Sequence, residues 1–262
     1  MMSSLLVAQN KHSVKSSHFF SYTLVNKTYQ KALTLKENLP DVPISILKLS
    51  DLTPAALDKY QGLFLAVKPF QLQELLEQNP SLNVFSGEII SLLAGIRLSS
   101  LENIFTKAVL HTRLMPSITV AEWPSSAIFL SSNPQRTLLQ QWYHASLGQL
   151  VAASNDEQFD QLTVLFGSNA AYVAALLSPW IKYLSTSLEN SQSLMIDQFM
   201  TALQFLKNKN FADVIDRVKT PGGITAETLQ VFESMQYPAM IQKALAASAE
   251  RSRAIDENLS MS

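Results

Sequence analysis

Two adjacent glycines, Gly222 and Gly223, stand out in a chain that has only seven glycines in 262 residues. The segment directly after them has apolar residues at helical spacing: Leu229, Phe232 and Met235. This pattern predicts a tight turn that opens a helix, because glycine tolerates backbone angles and close approaches that a Cβ forbids. The first N–H groups of a helix have no partner within it, so this corner could hold a small carboxylate. The alternative is a structural turn in which Thr220 or Thr225 caps the helix.

Composition narrows the classes of partner. The chain is 47% apolar and 16% charged, which is typical of a globular protein with one sizeable core or two modest ones. Its formal net charge of −1 offers no basic field for nucleic acid or a membrane surface. There are no cysteines, so a disulfide or a thiol nucleophile is excluded, and the four isolated histidines predict no metal site. We expect a cytoplasmic protein, because no secretory leader is visible and the longest apolar run, residues 170–181, is too short to span a bilayer.

Strands and helices alternate through about the first 150 residues. The apolar run over 62–67 is typical of a parallel strand that is covered on both faces. Further predicted strands are 5–8, 22–25 and 44–49, predicted helices are 29–39 and 52–60, and the segments 71–78, 83–85, 88–94, 98–105 and 108–110 continue the alternation. The pattern predicts a doubly wound, Rossmann-like α/β domain over residues 1–150.

From Arg136 onward the strand signals stop and helical periods take over. Predicted helices cover 138–150, 156–164, 170–184, 193–207 and 211–217, and two more follow the paired glycines. The sequence therefore predicts an all-α C-terminal domain over residues 151–262. The apolar stripes on two of these helices, 170–184 and 194–206, exceed what one small domain readily covers, which predicts a homodimer, or a higher oligomer, built through the helices. Packing of the stripes on one another within a monomeric bundle is the alternative.

Several motifs resemble those of one known family. The run Thr220-Pro221-Gly222-Gly223-Ile224-Thr225 is similar to the Ser-Pro-Gly-Gly-x-Thr run of the pyrroline-5-carboxylate reductases, which is likewise followed by two helices. Three more motifs match in the correct order: Leu65-Ala66-Val67-Lys68-Pro69, Arg113-Leu114-Met115-Pro116 and Gly167-Ser168-Asn169-Ala170-Ala171-Tyr172. In the last of these, Asn169-Ala170 replaces a Gly-Pro pair. The resemblance covers about residues 60–256 and implies an NAD(P)H-dependent enzyme that reduces the C=N bond of a cyclic imino acid to give proline.

The resemblance also implies where the dinucleotide is held. The first turn corresponds to Gln9-Asn10-Lys11, where the family has a glycine-rich loop and this chain has no glycine. Asn26-Lys27-Thr28 resembles the segment that holds a 2′-phosphate in NADP-using relatives, so NADP is the implied cofactor, with NAD as the alternative. Ala66-Val67-Lys68-Pro69 follows a predicted strand at the edge where such sheets bind ligands. Met115-Pro116-Ser117 stands where the family has Met-Pro-Asn beside the nicotinamide ribose.

For the substrate, the resemblance implies that backbone N–H groups of Gly222, Gly223 and Ile224 hold the carboxylate, with Thr220 beside it. The Thr225 hydroxyl then bonds the ring nitrogen and helps it accept a proton, which makes Thr225 the implied catalytic residue. The glycine-free turn over 9–13 leaves a second hypothesis, a catalytically impaired homologue that acts as a binding or regulatory protein. Cofactor titration separates the two, because the second hypothesis predicts no saturable binding.

Overall fold

A computed structural model describes residues 21–40, 42–144, 148–185 and 189–260. The described chain forms two compact units, one made of the residues up to 169 together with those from 248 onward, and the other of residues 170–247. We call them unit 1 and unit 2. The predicted strand over 5–8 lies outside the described residues. The domain boundary predicted near residue 150 stays a prediction.

The strands of unit 1 form two sheets. Their bounds are β1 Tyr22–Val25, β2 Ile44–Leu47, β3 Gly62–Leu65, β4 Glu88–Ser91, β5 Leu110–Pro116, β6 Ala127–Ser131 and β7 Leu150–Ala152. β1 and β2 pair in parallel, and the larger sheet has the order β3-β4-β5-β6-β7. Its first three strands are parallel, whereas β6 runs antiparallel to β5 and parallel to β7. The predicted α/β class is confirmed, with β6 and β7 running opposite to the three parallel strands.

Six helices accompany these strands within the described part of unit 1. They are α1 Tyr29–Glu37, α2 Pro54–Leu57, α3 Leu72–Gln78, α4 Leu98–Ile104, α5 Leu138–His144 and α6 Asp156–Phe166. Consecutive residues of β4 enter different cores: Ile90 packs with Leu114 and Phe129, whereas Ile89 packs with Phe85. Both faces of this strand are therefore buried, as the continuous apolar runs predict for a parallel strand.

Two segments differ from the sequence predictions. The helix predicted over 138–150 ends at His144 among the described residues, and Leu150 instead begins β7, which pairs with β6. Residues 80–84, counted in part in the predicted alternation, form a 3-10 helix. A strand of three residues has too little pattern to be read locally, and here hydrogen bonding to Ala127–Phe129 decides its conformation.

The end of the last helix packs on unit 1 through a glycine. Gly95 follows β4 with a φ of +80°, which only glycine adopts without strain. A Cβ at this position would lie 2.7 Å from the Ser252 carbonyl oxygen and 2.8 Å from the Ile255 Cβ. Ile255 also packs against the apolar cluster that contains Ile89 and Leu93. The missing side chain of Gly95 thus makes room for a helix that begins elsewhere in the chain.

The remaining helices are α7 Asn169–Leu184, α8 Ser191–Leu206, α9 Phe211–Val218, α10 Ile224–Ser234 and α11 Tyr237–Ser260. Together they confirm the predicted all-α character of the C-terminal part. Within the described part of unit 2 no apolar side chain is fully buried. Aromatic contacts do link its helices, since the Trp180 ring lies 5.9 Å from that of Phe199 and 6.4 Å from that of Phe232.

Exposed apolar side chains of unit 2 follow helical stripes. On α8 they include Ile196, Met200 and Leu203, at spacings of four and then three residues, which puts them on one face. On α7 the corresponding set is Val173, Leu176, Trp180 and Tyr183. These stripes form apolar surface that the described residues do not cover.

No single helix in the described ranges is long and apolar enough to cross a membrane. The successive helices α6 and α7 meet the criteria of length and composition only as a pair, across a break.

Candidate active site

The carboxyl ends of the parallel strands bring two of the predicted segments to one edge of the larger sheet. Leu65 at the end of β3 pairs with Ser91 at the end of β4, and Ser91 pairs with Arg113 in the middle of β5. Residues 66–69 continue from β3, and residues 115–117 complete β5 and leave it. Open α/β sheets bind ligands outside this edge. The topology therefore places both segments where a ligand would bind.

The segment after β3 makes a sharp turn. Ala66 and Lys68 are exposed, whereas Val67 packs against the core beside β3. Pro69 opens a 3-10 helix over Pro69–Gln71, and the Lys68 N–H donates to Gln71 Oε1 at 3.1 Å. The turn thus holds the backbone while it leaves the Lys68 ammonium group on the surface of the sheet edge.

The segment after β1 carries a cation and two polar side chains, all exposed. Asn26 Oδ1 accepts a hydrogen bond from the Thr28 N–H at 2.8 Å, which shapes the turn before α1. Thr28 occupies the position before this helix but its hydroxyl makes no capping bond. The Lys27 Nζ lies 2.6 Å from Glu74 Oε1 on α3, so the cation is already paired with a carboxylate. The hydrogen bond from Lys27 and its charge hold the pKa of Glu74 below its ordinary value.

The segment at the end of β5 is buried and joined to the start of α7. Met115, Pro116 and Ser117 are all buried. The Ser117 hydroxyl donates to Asn169 Oδ1 at 3.0 Å and accepts from both the N–H and the hydroxyl of Thr119, at 3.3 and 2.8 Å. Met115 packs in an apolar cluster with Ile128 and Phe159, and Ser117 belongs to a hydrogen-bonded group.

A buried arginine on β5 joins this strand to α6, and the sequence analysis did not identify that role. Arg113 is 1% exposed, and its guanidinium donates through Nη1 to Asp156 and through Nη2 to Asp160 Oδ1, the latter at 2.6 Å. The guanidinium carbon also lies 4.1 Å from the centre of the Phe159 ring. These contacts clamp β5 to α6. The sequence did contain a signal for this contact: Asp156 and Asp160 are four residues apart on a predicted helix, so their carboxylates share one face and could bind one cation.

Asp156 extends the clamp to a second helix. Its carboxylate accepts from the Leu98 N–H at 3.0 Å, at the first residue of α4. A carboxylate at a helix N-terminus satisfies one of the unpaired N–H groups and suits the helix dipole. The start of α4 and strand β5 are thus both bonded to the same aspartate.

The paired-glycine turn lies in unit 2 and has the predicted form. Gly222 has a φ of +71°, and the Gly223 N–H donates to the Thr220 carbonyl at 3.0 Å to close the turn before α10. A Cβ on Gly223 would collide with the Thr220 hydroxyl, so glycine is needed here for close approach. The N-cap residue of α10 is Gly223, and no side chain makes a capping bond there, so neither Thr220 nor Thr225 caps the helix. The alternative prediction, a turn in which a threonine caps the helix, is therefore wrong.

The start of α10 presents N–H groups that have no partner within the helix. These belong to Ile224, Thr225 and Ala226, in the first turn. Thr225 is half-buried, and its hydroxyl makes no hydrogen bond with any residue that the structure describes. Ile224, by contrast, is 89% exposed. The Gly223 N–H is occupied by the turn, so the donors for an anion are those of the first helical turn.

The polar side chains directly after β1 fit the 2′-phosphate of a dinucleotide. The Lys27 side chain is 68% exposed, and the hydroxyl of the adjacent Thr28 makes no capping bond, so the two offer a cation and a donor to a phosphate. Lys68 offers a second exposed cation after the end of β3. The predicted first-turn contacts Gln9-Asn10-Lys11 lie outside the described residues.

A mostly parallel α/β sheet with polar segments at the carboxyl edge of its parallel strands, followed by a helical unit, defines a Rossmann-like protein with a helical C-terminal domain. Comparison with known proteins is more specific. Residues 156–255 match the family Pyrroline-5-carboxylate reductase dimerisation. The chain is 25% identical over 206 residues to the pyrroline-5-carboxylate reductase of Aquifex aeolicus, with 75% of this chain and 76% of that protein covered.

Solved structures agree on the fold. The 1-pyrroline-5-carboxylate reductase of Streptococcus pyogenes matches with a TM-score of 0.80 at 20% identity, over 97% of this chain and 95% of that one. The pyrroline carboxylate reductase of Plasmodium falciparum, solved with NADP bound, has a TM-score of 0.75 at 19% identity, over 97% and 94% of the two chains. The chain is a relative of the pyrroline-5-carboxylate reductases.

Proposed function

We propose that the chain is a pyrroline-5-carboxylate reductase-like enzyme that transfers a hydride from NAD(P)H to the C=N bond of a cyclic imino acid and so forms proline. The observation that carries the proposal is the turn over 220–225, where helix N–H groups and the Thr225 hydroxyl point to an anionic, nitrogen-containing substrate. It is supported by the relatives named above, all of which are pyrroline-5-carboxylate reductases.

Each residue of this turn has a proposed part. The N–H groups of Ile224 and Thr225 hold the substrate carboxylate at the positive end of α10. Gly222 and Gly223 shape the turn that exposes those groups, and Thr220 flanks the carboxylate. The Thr225 hydroxyl bonds the ring nitrogen, which orients the imine and assists the transfer of a proton to that nitrogen. Fixed orientation of the ring is the main contribution of the chain, because the reaction needs hydride and proton delivered at defined atoms.

NAD(P)H supplies the hydride when it is bound. Lys27 and Thr28 hold the 2′-phosphate of NADP, Lys68 and Pro69 border the dinucleotide at the end of β3, and Met115 and Pro116 form an apolar floor at the end of β5. NADP is the proposed cofactor, with NAD as the alternative. Asn26, Ala66 and Val67 contribute through the backbone of the same loops.

The proposed enzyme is a homodimer joined through its C-terminal helices. The match to the dimerisation family supports this, as do the uncovered apolar stripes on α7 and α8. Covering them removes apolar surface from water at about 25 cal/mol per Å². A cytoplasmic location, without nucleic acid or membrane as a partner, completes the proposal, and fractionation of cells that express the tagged chain tests it.

The direct test follows the oxidation of NADPH and NADH in the presence of pyrroline-5-carboxylate. Thr225→Val keeps the shape of the side chain and removes the hydroxyl, so kcat should fall by about 100-fold or more. The matched control is Thr228→Val in the same helix, because the Thr228 hydroxyl donates only to the Ile224 carbonyl, at 3.1 Å. That control should stay within about twofold of the wild type.

Two outcomes would count against the proposal. Equal turnover by Thr225→Val and the wild type would remove the assigned role of that hydroxyl. A wild-type chain that binds neither NADPH nor NADH saturably would instead support the non-catalytic homologue.

A further inference from the structure

Two strand ends lie side by side at the segment proposed for the 2′-phosphate. β1 and β2 run parallel, and their register pairs Val25 with Leu47. The residues that follow this pair, Asn26 and Lys48, therefore leave the small sheet at the same carboxyl edge. Lys48 is still extended, with φ −73° and ψ 147°, before the 3-10 helix over Leu49–Asp51 begins. The sheet thus brings beside Asn26 a lysine that the sequence analysis did not single out.

The ammonium group of Lys48 lies near an aromatic ring from the other strand end. Its Nζ is 5.7 Å from the centre of the Tyr29 ring, and Tyr29 is the first residue of α1, directly after Thr28. A cation within about 6 Å of a ring centre is attracted by the electron-rich face of the ring. The contact therefore holds the Lys48 cation beside the start of α1.

Lys48 and Lys27 differ in what already neutralises them. The Lys27 Nζ lies 2.6 Å from Glu74 Oε1, whereas the exposed Lys48 makes no ion pair with any residue in the described part of the chain. Asp51, three residues further on, accepts instead from the Ser50 hydroxyl at 3.0 Å. An aromatic ring attracts a cation without cancelling its net charge. Of the two lysines, Lys48 therefore keeps the full charge that would attract a phosphate.

We propose that Lys48 is a further residue of this chain that binds the 2′-phosphate of NADP, and that it contributes more to a preference for NADP than Lys27 does. Tyr29 is its positioning residue. NAD has a free ribose hydroxyl where NADP carries this phosphate, so a cation that contacts the phosphate favours one cofactor over the other. This inference rests on the proposed function, since it needs a dinucleotide at this edge.

The test measures the Kd of NADPH and of NADH by calorimetry with the full-length protein, apart from any turnover. Lys48→Met keeps an unbranched side chain and removes the charge, so the Kd of NADPH should rise by about five- to tenfold. The Kd of NADH should stay within about twofold of the wild-type value, because NADH lacks the phosphate. Lys27→Met should raise the Kd of NADPH by only about two- to threefold, because Glu74 already offsets that charge.

Lys36→Met is the matched control. Lys36 is an exposed lysine in the last turn of α1, so this variant loses the same charge from the same part of unit 1. It lies about 10 Å further along the helix than Tyr29, at about 1.5 Å per residue. Exposed charges that far apart are largely screened at physiological salt. Both cofactors should therefore bind Lys36→Met as they bind the wild type.

Two substitutions of Tyr29 identify the positioning role. Tyr29→Phe keeps the ring and should leave both Kd values unchanged. Tyr29→Leu removes the ring and should weaken NADPH binding less than Lys48→Met does, with no further loss in the Lys48→Met background. A ring that serves only packing would instead lower the melting temperature and leave the affinity for NADPH unaffected.

The outcomes separate the inference from the function on which it rests. If the wild type binds NADPH and Lys48→Met binds it equally well, or loses as much affinity for NADH, the inference is wrong and the proposed function stands. A wild type that binds NADH but not NADPH also overturns the inference, and leaves NAD as the cofactor. If the wild type binds neither, the proposed function fails and the inference fails with it.

The rank order of the lysine variants is the last criterion. A larger loss of NADPH binding in Lys27→Met than in Lys48→Met would overturn the greater share assigned to Lys48. A selective loss of NADPH binding in Lys48→Met, with Lys36→Met unchanged, supports the inference.

Discussion

The Lys27 Nζ and the Glu74 Oε1 lie 2.6 Å apart, so the cation proposed for the 2′-phosphate already has a carboxylate partner. The hydrogen bond and charge of Lys27 hold the pKa of Glu74 below its ordinary value. The pair's contribution to stability is therefore present above the ordinary carboxyl pKa and is lost as the pH falls through the lowered one. If the proposed 2′-phosphate site is right, a phosphate bound at neutral pH shares or displaces this partner, and we therefore expect Glu74 to influence cofactor preference.

Glu74→Gln should strengthen the binding of NADPH by about two- to fivefold, because it removes a negative charge from the neighbourhood of the phosphate and releases Lys27. NADH, which lacks the 2′-phosphate, should bind as before. Glu77→Gln, one turn further along α3, is the control, since Glu77 accepts only from Gln73 at 3.2 Å. Titrations with both cofactors decide the matter, and a parallel change for NADH would show that the effect is not directed at the phosphate.

Asp160→Asn should destabilise unit 1 by about 3–5 kcal/mol, because it removes a charged partner from a buried guanidinium. Arg113 is nearly inaccessible to solvent and cannot recover that bond from water. Asp216→Asn, on the exposed face of α9, should change the free energy of unfolding by no more than about 0.5 kcal/mol. Denaturant unfolding measures both, and similar small losses for the two variants would contradict a clamp between β5 and α6.

Gly95→Ala should cost at least about 2 kcal/mol, because strain from a positive φ is added to the collision with Ser252 and Ile255. Gly222→Ala has a similar φ but open space around the new Cβ, so it should cost only about 1–2 kcal/mol. Hydrogen exchange should also show lost protection over residues 248–257 in Gly95→Ala alone. Unchanged exchange there would mean that α11 is held by contacts other than the one at Gly95.

Leu203→Glu should convert the proposed dimer to a monomer at micromolar concentration, because it places a charge in the apolar stripe of α8. Gln204→Glu adds the same charge to the neighbouring polar position and should leave the dimer intact. Light scattering with dilution measures the mass of each variant. A wild type that is already monomeric, with unchanged helical content and melting temperature, would refute the obligate dimer.

Local sequence was sufficient for the elements whose signal repeats. Short apolar runs predicted strands at 22–25, 44–49 and 62–67, which the structure shows at 22–25, 44–47 and 62–65. Helical spacing predicted α6 through α10 to within a few residues. Glycine chemistry also identified the turn at Gly222 and Gly223, since a positive φ and a close approach are properties of one or two residues. These features depend on neighbours along the chain, and periodicity records such neighbours directly.

Tertiary structure decided the remainder. The short strand β7 exists because Leu150–Ala152 pairs with Ala127–Phe129, a partner that its own three residues do not encode. The same holds for the site. The Ser117 hydroxyl bonds the Asn169 side chain, which lies 52 positions away along the chain, and the Lys27 ammonium group pairs with Glu74 across 47 positions. Sequence determined which residue types stand at the ends of the strands. Folding decided which of their hydrogen-bonding groups and charges are already paired, because pairing depends on distances that the order of residues does not record.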